Sequence, residues 1–216
     1  MIKAMINKDF KYPSATILVF AKAPVEGKVK TRLASSIGDE AALRFHEQML
    51  ERTLEMVCKY KLASVELHVS GSPDHPLIQS LAKQYGIIVR LQQGSDLGER
   101  MHYALEQSLL GSRYCVLIGT DCPAMNVDYL ANALTALVRG QDVVLGPAED
   151  GGYVLIGARQ LSRDWFSDIA WGSRQVLEQS RQKIMAKGVQ LEELQTLWDV
   201  DKITDFQRWQ LQTGTC

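Results

Sequence analysis

The fragment Phe20-Ala-Lys-Ala-Pro-Val-Glu-Gly-Lys-Val-Lys-Thr-Arg-Leu33 gathers Lys22, Lys28, Lys30 and Arg32 around Pro24 and Gly27. Cations concentrated in one loop neutralise a polyphosphate and hold its charge during group transfer. A solvated basic loop has the same composition, so the fragment needs partners elsewhere. It is neither G-x-x-x-x-G-K-[ST] nor G-x-G-x-x-G, which sets it apart from the common phosphate loops. The partner residues are acidic. Ile118-Gly-Thr-Asp-Cys-Pro123 ends an apolar run in Asp121, a hard oxygen ligand suited to Mg²⁺ or Mn²⁺. Asp199-Val-Asp-Lys-Ile-Thr-Asp205 puts Asp199 and Asp201 on one face of an extended segment, where Asp201 would add a second metal ligand. Both segments also read as helix caps.

Two further motifs are rich in glycine. Leu145-Gly-Pro-Ala-Glu-Asp-Gly-Gly-Tyr153 sets Glu149 and Asp150 side by side before Gly151 and Gly152. Adjacent carboxylates are costly unless a cation or polar ligand answers them, and either would serve as general base or hold acceptor hydroxyls. A plain surface turn also contains Asp-Gly. Gly94-Ser-Asp-Leu-Gly-Glu-Arg-Met101 lets the backbone approach a ligand at Gly94 and Gly98, with Arg100 beside it; a β-to-α turn capped by Asp96 is the alternative. Trp171, next to Gly172, is a stacking platform or a core aromatic.

Something must bring these motifs together. Short apolar runs alternate with amphipathic segments, so the spacing predicts βαβ units and a mainly parallel sheet. Strands are expected at 16–20, 65–69, 87–91, 114–118, 143–145 and 153–156. Buried parallel strands lose polar alternation; the run at 16–20 does so, and those at 65–69, 87–91, 114–118 and 143–145 read as buried strands in the same way. Helices are expected from Asp39, from Pro76 to Gly86, over 97–110, from Asn126 to Gly140, over 173–187 and over 204–211. Parallel sheets bind ligands beyond the carboxyl ends of their strands, and the polar motifs follow the apolar runs.

The chain has 216 residues, 46% of them hydrophobic and 23% charged, with a net charge of -1. That suits one soluble domain over 15–216 behind a tail of 1–14, and argues against a nucleic-acid surface. Residues 1–14 lack the apolar stretch of a signal peptide, and the run at 15–23 is far short of the ~20 residues that span a membrane. A cytoplasmic protein without membrane partners is expected. The four cysteines and four histidines show neither C-x-x-C nor H-E-x-x-H spacing, so a zinc site and a disulfide framework are not expected.

Taken in order, FAKAPVEGKVKTRL, GSDLGERM, IGTDCP, LGPAEDGGY and DVDKITDF resemble the bacterial family DUF2064 from Thr16 to about Phe206. That family is glycosyltransferase-like and is associated with radical-SAM/selenodomain or arsenosugar gene neighbourhoods. The resemblance implies a GT-A, nucleotide-diphospho-sugar transferase fold, a Rossmann-like sandwich of three layers. It assigns Lys22, Lys30 and Arg32 to nucleotide phosphates, with Gly94, Gly98 and Arg100 near the nucleotide. Asp121 and Asp201 become metal ligands, and Asp121, Glu149 and Asp150 catalytic groups. Gly151, Gly152, Tyr153 and Trp171 fall to the acceptor. The chain departs from sugar nucleotidyltransferases in opening with F-A-K-A-P where they carry L-A-G-G-x-G-x-R, and in reading DVDKITDF for DVDTPEDL. The expected activity is metal-dependent transfer from a nucleotide-sugar to a small acceptor. Nucleotidyl transfer from an NTP to a phosphorylated acceptor remains open, as does a nucleotide-binding module without turnover.

Overall fold

In the computed structural model, residues 9–214 are described. Strand β1 (Ala15–Lys22) is apolar on both sides because both sides are covered. Its residues alternate between two cores: Ile17, Val19 and Ala21 enter one, Leu18 and Phe20 the other. Around it stand β2 (Ser64–Ser70), β3 (Ile88–Leu91), β4 (Tyr114–Ile118), β5 (Val143–Pro147), β6 (Tyr153–Ala158) and β7 (Leu191–Glu193), in the order β3-β2-β1-β4-β6-β5-β7. The sheet is parallel apart from β6, which runs antiparallel to both β4 and β5. The sequence predicts β6 as a strand; its reversal follows from the short turn at Ala148–Gly152, too short for a crossover.

The helices are α1 (Thr31–Ile37), α2 (Asp39–Lys59), α3 (Pro76–Tyr85), α4 (Leu97–Leu109), α5 (Val127–Arg139), α6 (Val176–Met185) and α7 (Ile203–Thr213). Local chemistry fixes their ends. Asp96 Oδ1 accepts from Glu99 N at the start of α4, and Asn126 Oδ1 accepts from Tyr129 N at the start of α5. Gly86 and Gly140 close α3 and α5 in the left-handed conformation. Before α7, the Asp205 carboxylate accepts from the backbone N–H groups of Asp201 and Lys202.

Three expectations are corrected. Strand β3 is an edge rather than a buried strand, with Ile88 and Leu91 about half exposed. Helix α1 is additional, and the helix expected over 173–187 begins only at Val176. Of the predicted tail, 1–8 lie outside the described residues. Lys11 and Tyr12 are bound in place: their N–H groups donate to Lys61 O and Leu62 O, and the Tyr12 hydroxyl reaches Thr135. No described helix is long and apolar enough to cross a membrane.

Candidate active site

Strand register decides which residues meet. Val19 pairs with Ile118, so Lys22 and Asp121, each three positions further on, leave the sheet at one edge. Lys22 pairs with Ser70, and Leu91 with Val69, which brings Ser70 and Gln92 to the same edge. A cleft of about 660 Å³ lies there, within the usual range for small-molecule sites. Lys22, Lys30, Arg32, Arg100, Asp121, Tyr153, Asp199 and Asp201 all line it.

Lys30 is the most constrained of them. It is a non-glycine residue in the left-handed conformation (φ 48°, ψ 39°), which persists only where the surroundings impose it. Its ammonium is enclosed, 2.7 Å from Asp121 Oδ1 and 2.5 Å from Val200 O. Val200 N in turn donates to Asp121 O at 2.9 Å. The strand-end aspartate and the segment 199–201 are thereby stitched together. Arg32 pairs with Asp201 at 2.7 Å in an exposed contact that raises the guanidinium pKa.

Asp199 lies inside the same arrangement without a cationic partner among the described residues. Burial first, then Asp150 and Asp121, push its carboxyl up to about 6, with Lys30 pulling weakly the other way. His46, on α2, was not singled out by the sequence, where a lone histidine carries no spacing signal. It lines the cleft, its Nε2 3.0 Å from Lys22 O, and burial lowers its pKa. Cys122 also lines the cleft as a buried thiol pushed up to about 12, which keeps it protonated and unreactive.

Arg100 is held by Gly94 O (3.0 Å) and Ser70 Oγ (3.3 Å) at the opposite side of the cleft. Beside it, Gln92 donates to Ala21 O and His68 O. This end is polar and less charged than the end at Lys30.

A second chamber of about 360 Å³ shares Arg32, Asp199 and Asp201 with the cleft and adds Glu149, Asp150, Ser173, Arg174 and Lys202. Glu149 is engaged by Arg208 through two contacts of 2.8 and 3.3 Å, and Arg208 lies 4.3 Å from the Trp198 ring. Asp150 Oδ1 accepts from Gly152 N. The other glycines of the predicted site shape the walls. A Cβ at Gly151 (φ 91°) would stand 2.3 Å from Arg174 O, and one at Gly98 would stand 2.6 Å from the Trp171 ring. Gly94, Gly98, Gly151, Gly152 and Trp171 line neither chamber. Trp171 packs edge-on to Tyr153, at 6.3 Å.

Among the described residues no three His, Cys, Asp or Glu side chains converge as a ready metal site. The donor set is nonetheless all carboxylate, which fits a magnesium-like ion. Such an ion takes one or two protein carboxylates and completes its shell with water and substrate phosphates.

Residues 53–173 match the model of the family described as "Uncharacterized protein conserved in bacteria (DUF2064)". No curated protein matches the chain. Among solved structures, a proposed nucleotide-diphospho-sugar transferase from Desulfovibrio desulfuricans G20 is 29% identical with a TM-score of 0.85, over 94% of this chain and 88% of that one. A nucleotidyl transferase from Methanothermobacter thermautotroptrophicus is 14% identical with a TM-score of 0.61, over 93% and 99%. Glucosyl-3-phosphoglycerate synthase from Mycobacterium tuberculosis, in complex with Mn²⁺, UDP and glucosyl-3-phosphoglycerate, is 11% identical with a TM-score of 0.51, over 90% and 75%. The fold is the GT-A-like fold of nucleotide-diphospho-sugar transferases.

Proposed function

Since the chain belongs to the DUF2064 family and has the nucleotide-diphospho-sugar transferase fold, we propose that it is a metal-dependent glycosyltransferase acting from a nucleotide-sugar on a small acceptor. The observation that carries this reading is the pair of adjoining chambers of unlike charge. The donor cleft gathers Lys22, Lys30, Arg32 and Arg100. The adjoining chamber is walled by more carboxylates than cations. A phosphorylated acceptor would be repelled there, whereas a hydroxyl would find acceptors for its proton.

Lys22, Lys30 and Arg32 bind the diphosphate, and Arg100, Ser70 and Gln92 hold the nucleoside end. Asp121 and Asp201, with Asp199 beside them, would hold a magnesium or manganese ion, which would neutralise the diphosphate charge. The Mn²⁺ and UDP of the mycobacterial synthase, held on the same fold, support this assignment. Asp150, whose Oδ2 is not engaged by Gly152 N–H, orients the acceptor hydroxyl and takes its proton. The bond from the sugar to the diphosphate then breaks, the bond to the acceptor oxygen forms, and the nucleoside diphosphate leaves. Glu149 positions Arg208 and the Trp198 wall.

The enclosed ammonium of Lys30 also suits attack at a nucleotide's own phosphate, which favours nucleotidyl transfer as the second reading. Product analysis divides the two. Incubation with UDP-, GDP- and ADP-sugars plus Mn²⁺ and a panel of polyols and sugars should release nucleoside diphosphate. Pyrophosphate formed from an NTP and a phosphorylated acceptor would establish the other reaction instead.

A further inference from the structure

We propose that in the ligand-free protein the Lys30 ammonium occupies the seat of the divalent cation, as a built-in counter-ion that nucleotide phosphates must draw away before Asp121 can bind metal. This inference rests on reading the cleft as a metal–nucleotide site. It goes further in assigning Lys30 two alternate partners and in making the metal site self-blocked.

Four observations converge on it. The Lys30 side chain is 4% exposed and its Nζ sits 2.7 Å from Asp121 Oδ1. That carboxylate oxygen is itself buried, and it receives no hydrogen bond from any other described group. The second anchor of the amine, Val200 O, belongs to the segment that carries Asp199 and Asp201. The backbone at Lys30 is held left-handed, so the amine is aimed by the fold and did not settle there by surface drift. Arg32 repeats the pattern at Asp201, in solvent.

A dication at the Asp121 carboxylate and an ammonium 2.7 Å from its Oδ1 repel each other, so each weakens the other's hold. Phosphate oxygens resolve the conflict. They accept from Lys30 and Arg32, and they provide the ligands that the carboxylates alone lack. Exchange of ion partners is then the price of entry for the metal.

The test is titration with Mn²⁺ alone, free ion being followed by electron paramagnetic resonance, on wild type, Lys30→Met, Lys30→Gln, Arg32→Met and Asp121→Asn. Lys30→Gln keeps a donor for Val200 O, and circular dichroism checks that each variant is folded. The neutral Lys30 variants should bind bare Mn²⁺ about tenfold more tightly than wild type. Arg32→Met, at an exposed pair, should gain roughly two- to threefold. Asp121→Asn should lose binding. If neutral residues at 30 and 32 leave the Mn²⁺ affinity unchanged or weaker, the inference is overturned and Lys30 is a structural ion pair. If UDP, GDP and ADP each fail to bring Mn²⁺ onto wild type, the metal–nucleotide reading itself falls, and this inference with it.

Discussion

Asp199 shows how a residue in this site is loaded against stability. Its carboxyl rises to about 6 from an ordinary 3.8 because burial and two neighbouring carboxylates oppose its charge. A raised carboxyl pKa means that the folded state holds the proton more tightly than the unfolded chain. The stabilising share is complete below 3.8 and is lost as pH climbs through about 6. Asp199→Asn should therefore stabilise the protein at about pH 7.5, by roughly 1–2 kcal/mol, with the gain vanishing near pH 4. Thermal melts at both pH values check this; an equal shift at both would contradict it. Gly98 makes a different prediction. A methyl group there would meet the Trp171 ring, so Gly98→Ala should cost about 1–3 kcal/mol in urea unfolding. Shrinking the ring with Trp171→Leu in the same chain should recover part of the loss. The sequence made Lys30, Arg32 and Asp121 legible as residues that meet, because each belongs to a polar motif placed after an apolar run. It did not show why Gly98 is a glycine, since the ring that excludes a side chain comes from a distant loop.

Helix α7 matters to the site although none of its side chains lines the donor cleft. Its Trp209 packs with Phe45 of α2 (ring centroids 4.9 Å apart) in a core that also contains Leu33 of α1, Trp198 and Val200. The small core therefore ties the cationic loop to the segment bearing Asp199 and Asp201. Trp209→Ala should cost about 3–5 kcal/mol of stability. It should also weaken nucleotide binding in whatever protein remains folded, read by titration well below the melting temperature. Retained affinity would show that Val200 is fixed from the sheet side alone. Most elements were readable, because apolar runs, helix caps and the proline that opens α3 act locally. The direction of β6 was not, for a short apolar run carries no polarity. Nor was the exposure of β3, which depends on its place at the sheet edge. Helix α1 escaped because Thr31–Ile37 is only seven residues long, too short for the Leu33–Ile37 pair to read as a period.

At the scale of the whole molecule, a mainly parallel sheet delivers separate stretches of chain to one edge, and the order of strands decides what meets what. Placing β1 and β4 side by side sets Lys22 beside Asp121; the return of the chain after β7 lays 199–201 across them. Charge is weighted accordingly: four cations face three carboxylates in the larger cleft, and five carboxylates face three cations in the neighbouring chamber. Under the proposed function, that division lets a polyphosphate and a divalent ion enter together. Calorimetric titration of UDP-, GDP- and ADP-glucose into wild type and Asp121→Asn, each with and without Mn²⁺, tests that most directly. At least one donor should bind wild type about tenfold or more tightly with Mn²⁺ present, and Asp121→Asn should abolish that difference. Binding indifferent to both the ion and the substitution would contradict the account.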